Sequence, residues 1–363
     1  MPIMHVSIKI CHELGWPIFS IAGNTTKCSR PRGIAQLMAA LQKKAGTHAS
    51  LLGSVLAGSD SFLSRAFKSV TIISSAALLI LFMIFSYLVQ LLSIPLLFLS
   101  PVIMYRLNSF FAGTMWRLCQ HMFEDQNGLR IRVTGMERIP FGESALVISN
   151  HRSFLDFAMI HAVSEKRGML GNCRYFVKDS VKYWPFFGWG MYLAGFIFLK
   201  RNWERDQRNI SATFKALTTH NLPVHLISFL EGHRFSAEKL KQSHQYAAKS
   251  SLPLFENTLL PRTKGFIASV RGLRHSHINH VYDLTLAFFH RRRGFGATPS
   301  LFDFLFGRMN EYQYVVHVDR YAMSELPHQD ADIALWLIKL YEHKNKLLLS
   351  MKHDWDRKNK YNK

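Results

Sequence analysis

Acidic residues are scarce in this chain. Against 45 lysines and arginines stand 24 aspartates and glutamates, a formal net charge of +21 over 363 residues. Such an imbalance points to an anionic partner: nucleic acid, a phospholipid surface or a phosphorylated substrate. Cysteine is scarcer still. Cys11, Cys28, Cys119 and Cys173 form no CxxC and match no zinc spacing. That excludes a disulfide scaffold and a zinc module, and reads as four packing residues in a reducing compartment. There is no G-x-S-x-G elbow, so Ser153 is a poor candidate for a nucleophile. No nucleic-acid-binding motif, internal repeat or low-complexity tract is present. The first residues lack the basic stretch and immediate apolar core of a signal peptide.

What the chain does have is an uncharged run. Residues 69–105, SVTIISSAALLILFMIFSYLVQLLSIPLLFLSPVIMY, carry no charge. A bilayer span needs about 20 apolar residues, so the run is too long for one span and slightly short for two with a turn. Pro95 and Pro101 interrupt its second half. The pattern predicts a helix over 70–90, a break near Pro95 and a shorter return segment. This is an N-terminal membrane-embedded helical hairpin, the alternative being a pair of buried core helices. Residues 1–68 hold a net +6, leaving +15 for the remainder, so the positive-inside rule sets no orientation. A hairpin that enters and leaves on the cytoplasmic side fits both charges, placing the domain that follows on the cytoplasmic face (the inner membrane, if the source is bacterial). Residues 1–66 are an extension of unknown role, in which GIAQLMAALQKKAG resembles a short helix.

Beyond the run the pattern alternates. Strand-like segments occur at 129–133, 145–149, 174–177, 195–199, 224–229, 281–288 and 312–318, with helix-like segments at 154–164, 205–220 and 266–274. This is the rhythm of an α/β domain with a mixed sheet flanked by helices. A last helix, expected over 330–352, carries Ile333, Trp336, Leu337, Leu340 and Leu347 at helical spacing, a packing face. The resulting division is 1–66 extension, 67–120 hairpin and linker, 121–325 α/β domain, and 326–363 C-terminal helix packing on that domain, with a basic tail.

Ligands gather where the strands of an α/β sheet give way to loops, and four such exits carry chemistry. VISNHRSFLDF (147–157) contains the chain's one His-x4-Asp pair, His151 and Asp156. Spacing alone leaves two readings open: a base with its orienter, or a loop histidine and an acid capping a helix through Ser153-x-x-Asp156. GFIFLKR (195–201) ends in Lys200 and Arg201; FLEGHR (229–234) supplies Glu231, Gly232 and Arg234; LLPRTKG (259–265) supplies Pro261 and Lys264. Taken singly, each cation is as readily a solvated strand end. Arg291-Arg292-Arg293 reads as a solvated run that could also meet anionic headgroups.

In this order, the four blocks resemble those of the glycerolipid acyltransferase family, whose best-known members are 1-acylglycerol-3-phosphate acyltransferases. The family's NHxxxxD, GxIFIxR, FPEGTR and proline-containing blocks here read NHRSFLD, GFIFLKR, FLEGHR and LLPRTKG. The branch with lysophosphatidate and lysocardiolipin acyltransferases is the most similar. Leu230 stands in place of the third block's proline, and His233 in place of its threonine. The resemblance implies transfer of a fatty acyl group from acyl-CoA or acyl-carrier protein to the sn-2 hydroxyl of a lysophospholipid. His151 would be the general base and Asp156 its orienter. Lys178, Arg201 and Arg234 would face the acceptor phosphate, with Glu231, Gly232, Pro261 and Lys264 completing the substrate site. No cofactor and no metal are expected. The implied partners are the phospholipid membrane, the lyso-acceptor and the acyl donor, and no nucleic acid. A larger-headgroup acceptor (lysophosphatidylglycerol or lysocardiolipin) and a non-enzymatic basic membrane protein are the alternatives.

Overall fold

Proline sets the breaks in the apolar run. In the computed structural model, which describes residues 62–200 and 202–360, helix α1 spans Phe62–Leu92. Pro95 starts the single turn α2, Leu96–Leu99, and Pro101 is the first residue of α3, Pro101–His121. Proline suits a first turn because its missing N–H has no helical partner there. Ser100 caps α3 by accepting from the Ile103 amide at 3.4 Å. The candidate short helix within 1–66, together with Cys11 and Cys28, lies outside the described residues.

The return segment differs from expectation. It is a 21-residue helix, and it belongs to the α/β body rather than to a second span. Among the described residues only one stretch, Ser69–Leu92, is long and apolar enough to cross a membrane. Helix α3 carries Arg106 and Arg117, and it is fastened beneath. Arg174, only 1% exposed, donates to Ser109 Oγ at 2.7 Å and to the carbonyls of Gly171 and Cys173, with its guanidinium 4.8 Å from the Tyr105 ring centroid. Gly171 lets the two backbones approach, since a Cβ there would lie 2.4 Å from the Ser109 carbonyl oxygen.

Residues 68–363 form one unit around an eight-stranded mixed sheet. The strands are β1 Ile131–Thr134, β2 Ala145–Ser149, β3 Cys173–Lys178, β4 Ile197–Leu199, β5 His225–Ser228, β6 His280–His290, β7 Gly294–Phe295 and β8 Tyr312–Ala322. Their order is β1-β8-β6-β2-β5-β3-β4, with β7 on β6. From β6 to β4 all neighbours are parallel, while β8 and β7 run antiparallel to β6. The parallel strands therefore deliver their C-terminal ends to one edge.

β2 is buried at all five positions, as expected of a central parallel strand covered on both faces. Ala145 and Val147 face one core with Ala158, Met159 and Val163 of α4 (Asp156–Lys166) and Ile72 of α1. Leu146 and Ile148 face the other. There they meet Phe214 of α6 (Trp203–Thr219), Val270 of α8 (Thr263–Leu273) and Leu337 of α10 (Asp330–Lys360). Helices α5 (Phe187–Leu193), α7 (Ala237–Lys249) and α9 (Leu301–Leu305), and strand β7, are elements the sequence pattern did not show. Helix α10 runs eight residues past its expected end, through a solvated stretch with an Arg357–Asp354 ion pair. Cys173 is buried and Cys119 partly so; burial pushes both thiols up to about 12, as fits packing residues.

Candidate active site

The site starts where β2 ends. Asn150 keeps the sheet in register past Ser149 by imitating a peptide group: its Nδ2 donates to the Leu286 carbonyl at 2.9 Å and its Oδ1 accepts from the Leu286 amide at 2.8 Å. The chain then turns, and Asp156 holds the turn. Its Oδ2 accepts from the Arg152 amide at 2.7 Å, and both its oxygens lie 3.1 Å from the Ser153 amide. The same Oδ2 is 2.7 Å from His151 Nδ1. The carboxylate at the start of α4 thus holds the turn and lies against the imidazole at once, while the helix's own N-cap is Leu155, without a side-chain cap. Helix α4 starts at Asp156, two residues after its expected start, because this turn occupies residues 152–155.

His151 is fixed on its flank as well. Its ring stacks on Phe229, centroids 4.2 Å apart at 20°. With Nδ1 engaged by the acid at 1% side-chain exposure, Nε2 has no partner among the described residues, and the imidazole keeps 21% exposure. A donor at Nδ1 leaves Nε2 as the acceptor of the neutral ring.

Glu231 follows the end of β5 and is buried. Its Oε1 accepts from the His151 amide at 3.3 Å and its Oε2 from the Leu259 amide at 3.1 Å. One carboxyl therefore joins the first, third and fourth blocks. Burial pushes it up to about 8, against the pull of those two N–H groups and of Lys344 and Arg152. Gly232 makes the tight turn that follows, at φ +71°, a conformation only glycine adopts without strain. Leu230 is buried in the second core and its carbonyl accepts from the Arg262 amide at 2.8 Å. Arg234 and Lys264 are exposed and Pro261 is buried.

Strand order separates the remaining cations. Lys178 ends β3 and Lys200 follows β4, both exposed on the same sheet edge as His151. At about 4.8 Å between neighbours, they stand two and three strands from β2, roughly 10 and 14 Å across. Arg201 lies outside the described residues. Among the described residues no group of three or more His, Cys, Asp or Glu is placed to hold a metal ion.

Three groups at the site drew no assignment from the sequence. Arg152, inside the first block, lies between two rings, 4.4 Å from the Phe235 centroid and 5.5 Å from that of Phe295. Arg262 lies over Gly232. Lys344 of α10 is fully buried, its Nζ 2.6 Å from Asp283 and 2.8 Å from the Leu284 carbonyl. A lysine between Leu340 and Leu347 on the apolar stripe was the available signal for the last.

The acyltransferase family model matches residues 130–288, and a model described as the acyltransferase C-terminus matches 304–360. The chain is 38% identical over 199 residues to 1-acyl-sn-glycerol-3-phosphate acyltransferase 3 of Arabidopsis thaliana, covering 55% of this chain and 51% of that one. It is 33% identical over 264 residues to 1-acyl-sn-glycerol-3-phosphate acyltransferase gamma of Pongo abelii, covering 71% and 68%. The chain spans 51 to 62% of the length of the plant relatives it matches. Among solved structures, the 1-acyl-sn-glycerophosphate (LPA) acyltransferase PlsC of Thermotoga maritima aligns at TM-score 0.41 and 15% identity, over 77% of this chain and 98% of that one. With the histidine–aspartate turn, the four blocks and the sequence matches in place, the chain belongs to the glycerolipid acyltransferase family, that of the 1-acyl-sn-glycerol-3-phosphate acyltransferases.

Proposed function

We propose that the protein is an O-acyltransferase that moves a fatty acyl group from acyl-CoA or acyl-carrier protein to the sn-2 hydroxyl of 1-acylglycerol-3-phosphate, giving phosphatidic acid. The observation that carries the reading is the His151 ring, held at Nδ1 by Asp156 and, among the described residues, unengaged at Nε2. Nε2 removes the hydroxyl proton as the substrate oxygen attacks the thioester carbonyl. The tetrahedral intermediate collapses, the C–S bond breaks, and the imidazolium returns its proton to the departing thiolate. The logic is that of a serine hydrolase whose hydroxyl is supplied by the substrate. A positioned base contributes about 10²–10⁴-fold. Asp156 orients the ring and stabilises the imidazolium, while Glu231 holds the backbone of His151. Arg234, Arg201 and Lys178 supply the cations for the acceptor phosphate, whose oxygens suit a guanidinium fork.

The reading extends to the membrane. Helix α1 lies lengthwise on the α/β body: Ser69 donates to the Leu305 carbonyl, Ser75 accepts from Gln126 and Gln90 donates to Asn108. Its outer face is apolar and bare, with Val70 at 64%, Leu78 at 66% and Leu92 at 82% exposure. Phe98 and Leu99 of α2, and Trp184 and Trp189 in and beside α5, extend the exposed apolar surface. These features support insertion of α1 along one leaflet, with the site beside its lipid substrate; the cytoplasmic side is the face on which the reading places the catalytic body.

The test is a panel of lyso-acceptors offered with one acyl donor to the purified chain. The reading expects 1-acylglycerol-3-phosphate to give the highest kcat/KM. Preference for lysophosphatidylglycerol or lysocardiolipin would reassign the acceptor, and no transfer to any of them would remove the enzymatic reading.

A further inference from the structure

We propose that Arg262 binds a phosphate group of one of the two substrates and sets the enzyme's preference for it, an inference that rests on the acyl-transfer reading above. The fourth block is fastened to the third by the Arg262 amide, which donates to the Leu230 carbonyl at 2.8 Å. From there the side chain runs across Gly232. A Cβ built on Gly232 would lie 2.7 Å from Arg262 Nε and 2.9 Å from its Cζ. The glycine therefore does two things: it allows the φ of +71° that the turn needs, and it leaves the space in which the guanidinium lies.

The place is close to the chemistry. Gly232 follows Glu231, whose two oxygens hold the amides of His151 and Leu259. Arg262 is exposed, yet its guanidinium has no ion pair, hydrogen bond or ring contact with any described residue. Other arginines of this chain find carboxylates: Arg138 pairs with Asp319, Arg271 with Asp330 and Arg320 with Glu143. Glu231, the nearest acid in sequence to the Gly232 turn, is committed to backbone N–H groups. What remains is a planar fork of N–H donors lying against backbone with its hydrogen-bonding capacity unused. That fork matches the oxygens of a phosphate. Both substrate classes can carry one: the acceptor its phosphomonoester, and coenzyme A its own phosphates.

The experiment is a two-substrate kinetic series on the full chain, varying 1-acylglycerol-3-phosphate and acyl-CoA separately for wild type, Arg262→Ala and Arg262→Lys. The expected result is a rise of about tenfold in one KM for Arg262→Ala, the low end for a charge-assisted bond because this cation is exposed, with kcat changed less than about twofold. Arg262→Lys should recover part of the loss, because an ammonium keeps the charge without the fork. A raised acceptor KM places the acceptor phosphate on Arg262; a raised donor KM places a coenzyme phosphate there. Either upholds the proposal. Gly232→Ala, which displaces the guanidinium, should raise the same KM. An active wild type with both KM values unchanged in Arg262→Ala overturns the role of Arg262 alone, whereas a wild type without transfer activity overturns the reading beneath it as well.

Discussion

A histidine five positions before an aspartate is a weak signal until the backbone between them turns. In the structure that turn is held by the aspartate itself, through the amides of Arg152 and Ser153, and the same oxygen reaches His151 Nδ1. The sequence showed the two residues but not this shared oxygen, because a cap and an orienter share one spacing. Asp156→Asn tests it. An amide is neutral and turns one of the two oxygens into an NH₂ donor: if its oxygen keeps His151 and the Arg152 amide, the NH₂ faces the Ser153 amide, and if it is flipped the NH₂ faces the imidazole N–H and the Arg152 amide. The expected outcome is a fall in kcat of about 10²–10⁴-fold, from the misoriented ring. A stability loss of about 1–2 kcal/mol should accompany it, from a buried hydrogen bond left unmade. Turnover kinetics and a denaturation curve measure the two separately. A kcat within threefold of wild type would leave Asp156 as the holder of the turn only. Glu231 shows the limit of legibility more plainly. Its presence was readable, but its two backbone partners lie 80 and 28 positions away, and no local pattern encodes such distances.

At the scale of elements, period and apolarity identified the central strands because burial on both faces demands unbroken apolar runs. Ala145–Ser149 was legible to the residue. Helix α7 was missed because it is mostly polar, with Ala247 its one buried residue. Helix α3 was misjudged because its fastening depends on Arg174, a buried cation in what reads as an ordinary strand. Helix α10 was legible as packing but not as a carrier of charge. Its Lys344 and Asp283 are 0% and 1% exposed in their side chains. Burial raises the Asp283 carboxyl against the pull of that lysine. Breaking such a pair leaves one charge buried alone, which costs about 3–5 kcal/mol, whereas replacing both partners costs less. Lys344→Met should therefore destabilise the protein by that amount, and Lys344→Met with Asp283→Asn should be the more stable of the two variants. Denaturant unfolding in detergent measures both, and a double variant less stable than the single one would remove the coupling.

For the whole molecule, two features would act on the same partner if, as proposed, the protein works at a membrane. A charge of +21 would attract anionic headgroups, and the bare outer face of α1 would offer apolar area to the acyl chains beneath them. They separate by salt. Screening shortens the Debye length to about 3 Å at 1 M, which removes the attraction of a basic surface but not the burial of an apolar helix. The protein should stay with membranes after a 1 M salt wash, and release into the supernatant would reduce α1 to a core helix with an exposed side. The central claim is that the His151 ring performs acyl transfer to a lysophospholipid hydroxyl. Its most direct test is transfer of a labelled acyl group from acyl-CoA to 1-acylglycerol-3-phosphate by the purified full chain, beside its His151→Ala variant. The account predicts labelled phosphatidic acid from the wild type and a loss of about 10²–10⁴-fold in the variant, with both proteins folded and membrane-bound. Near-normal turnover by His151→Ala would contradict it.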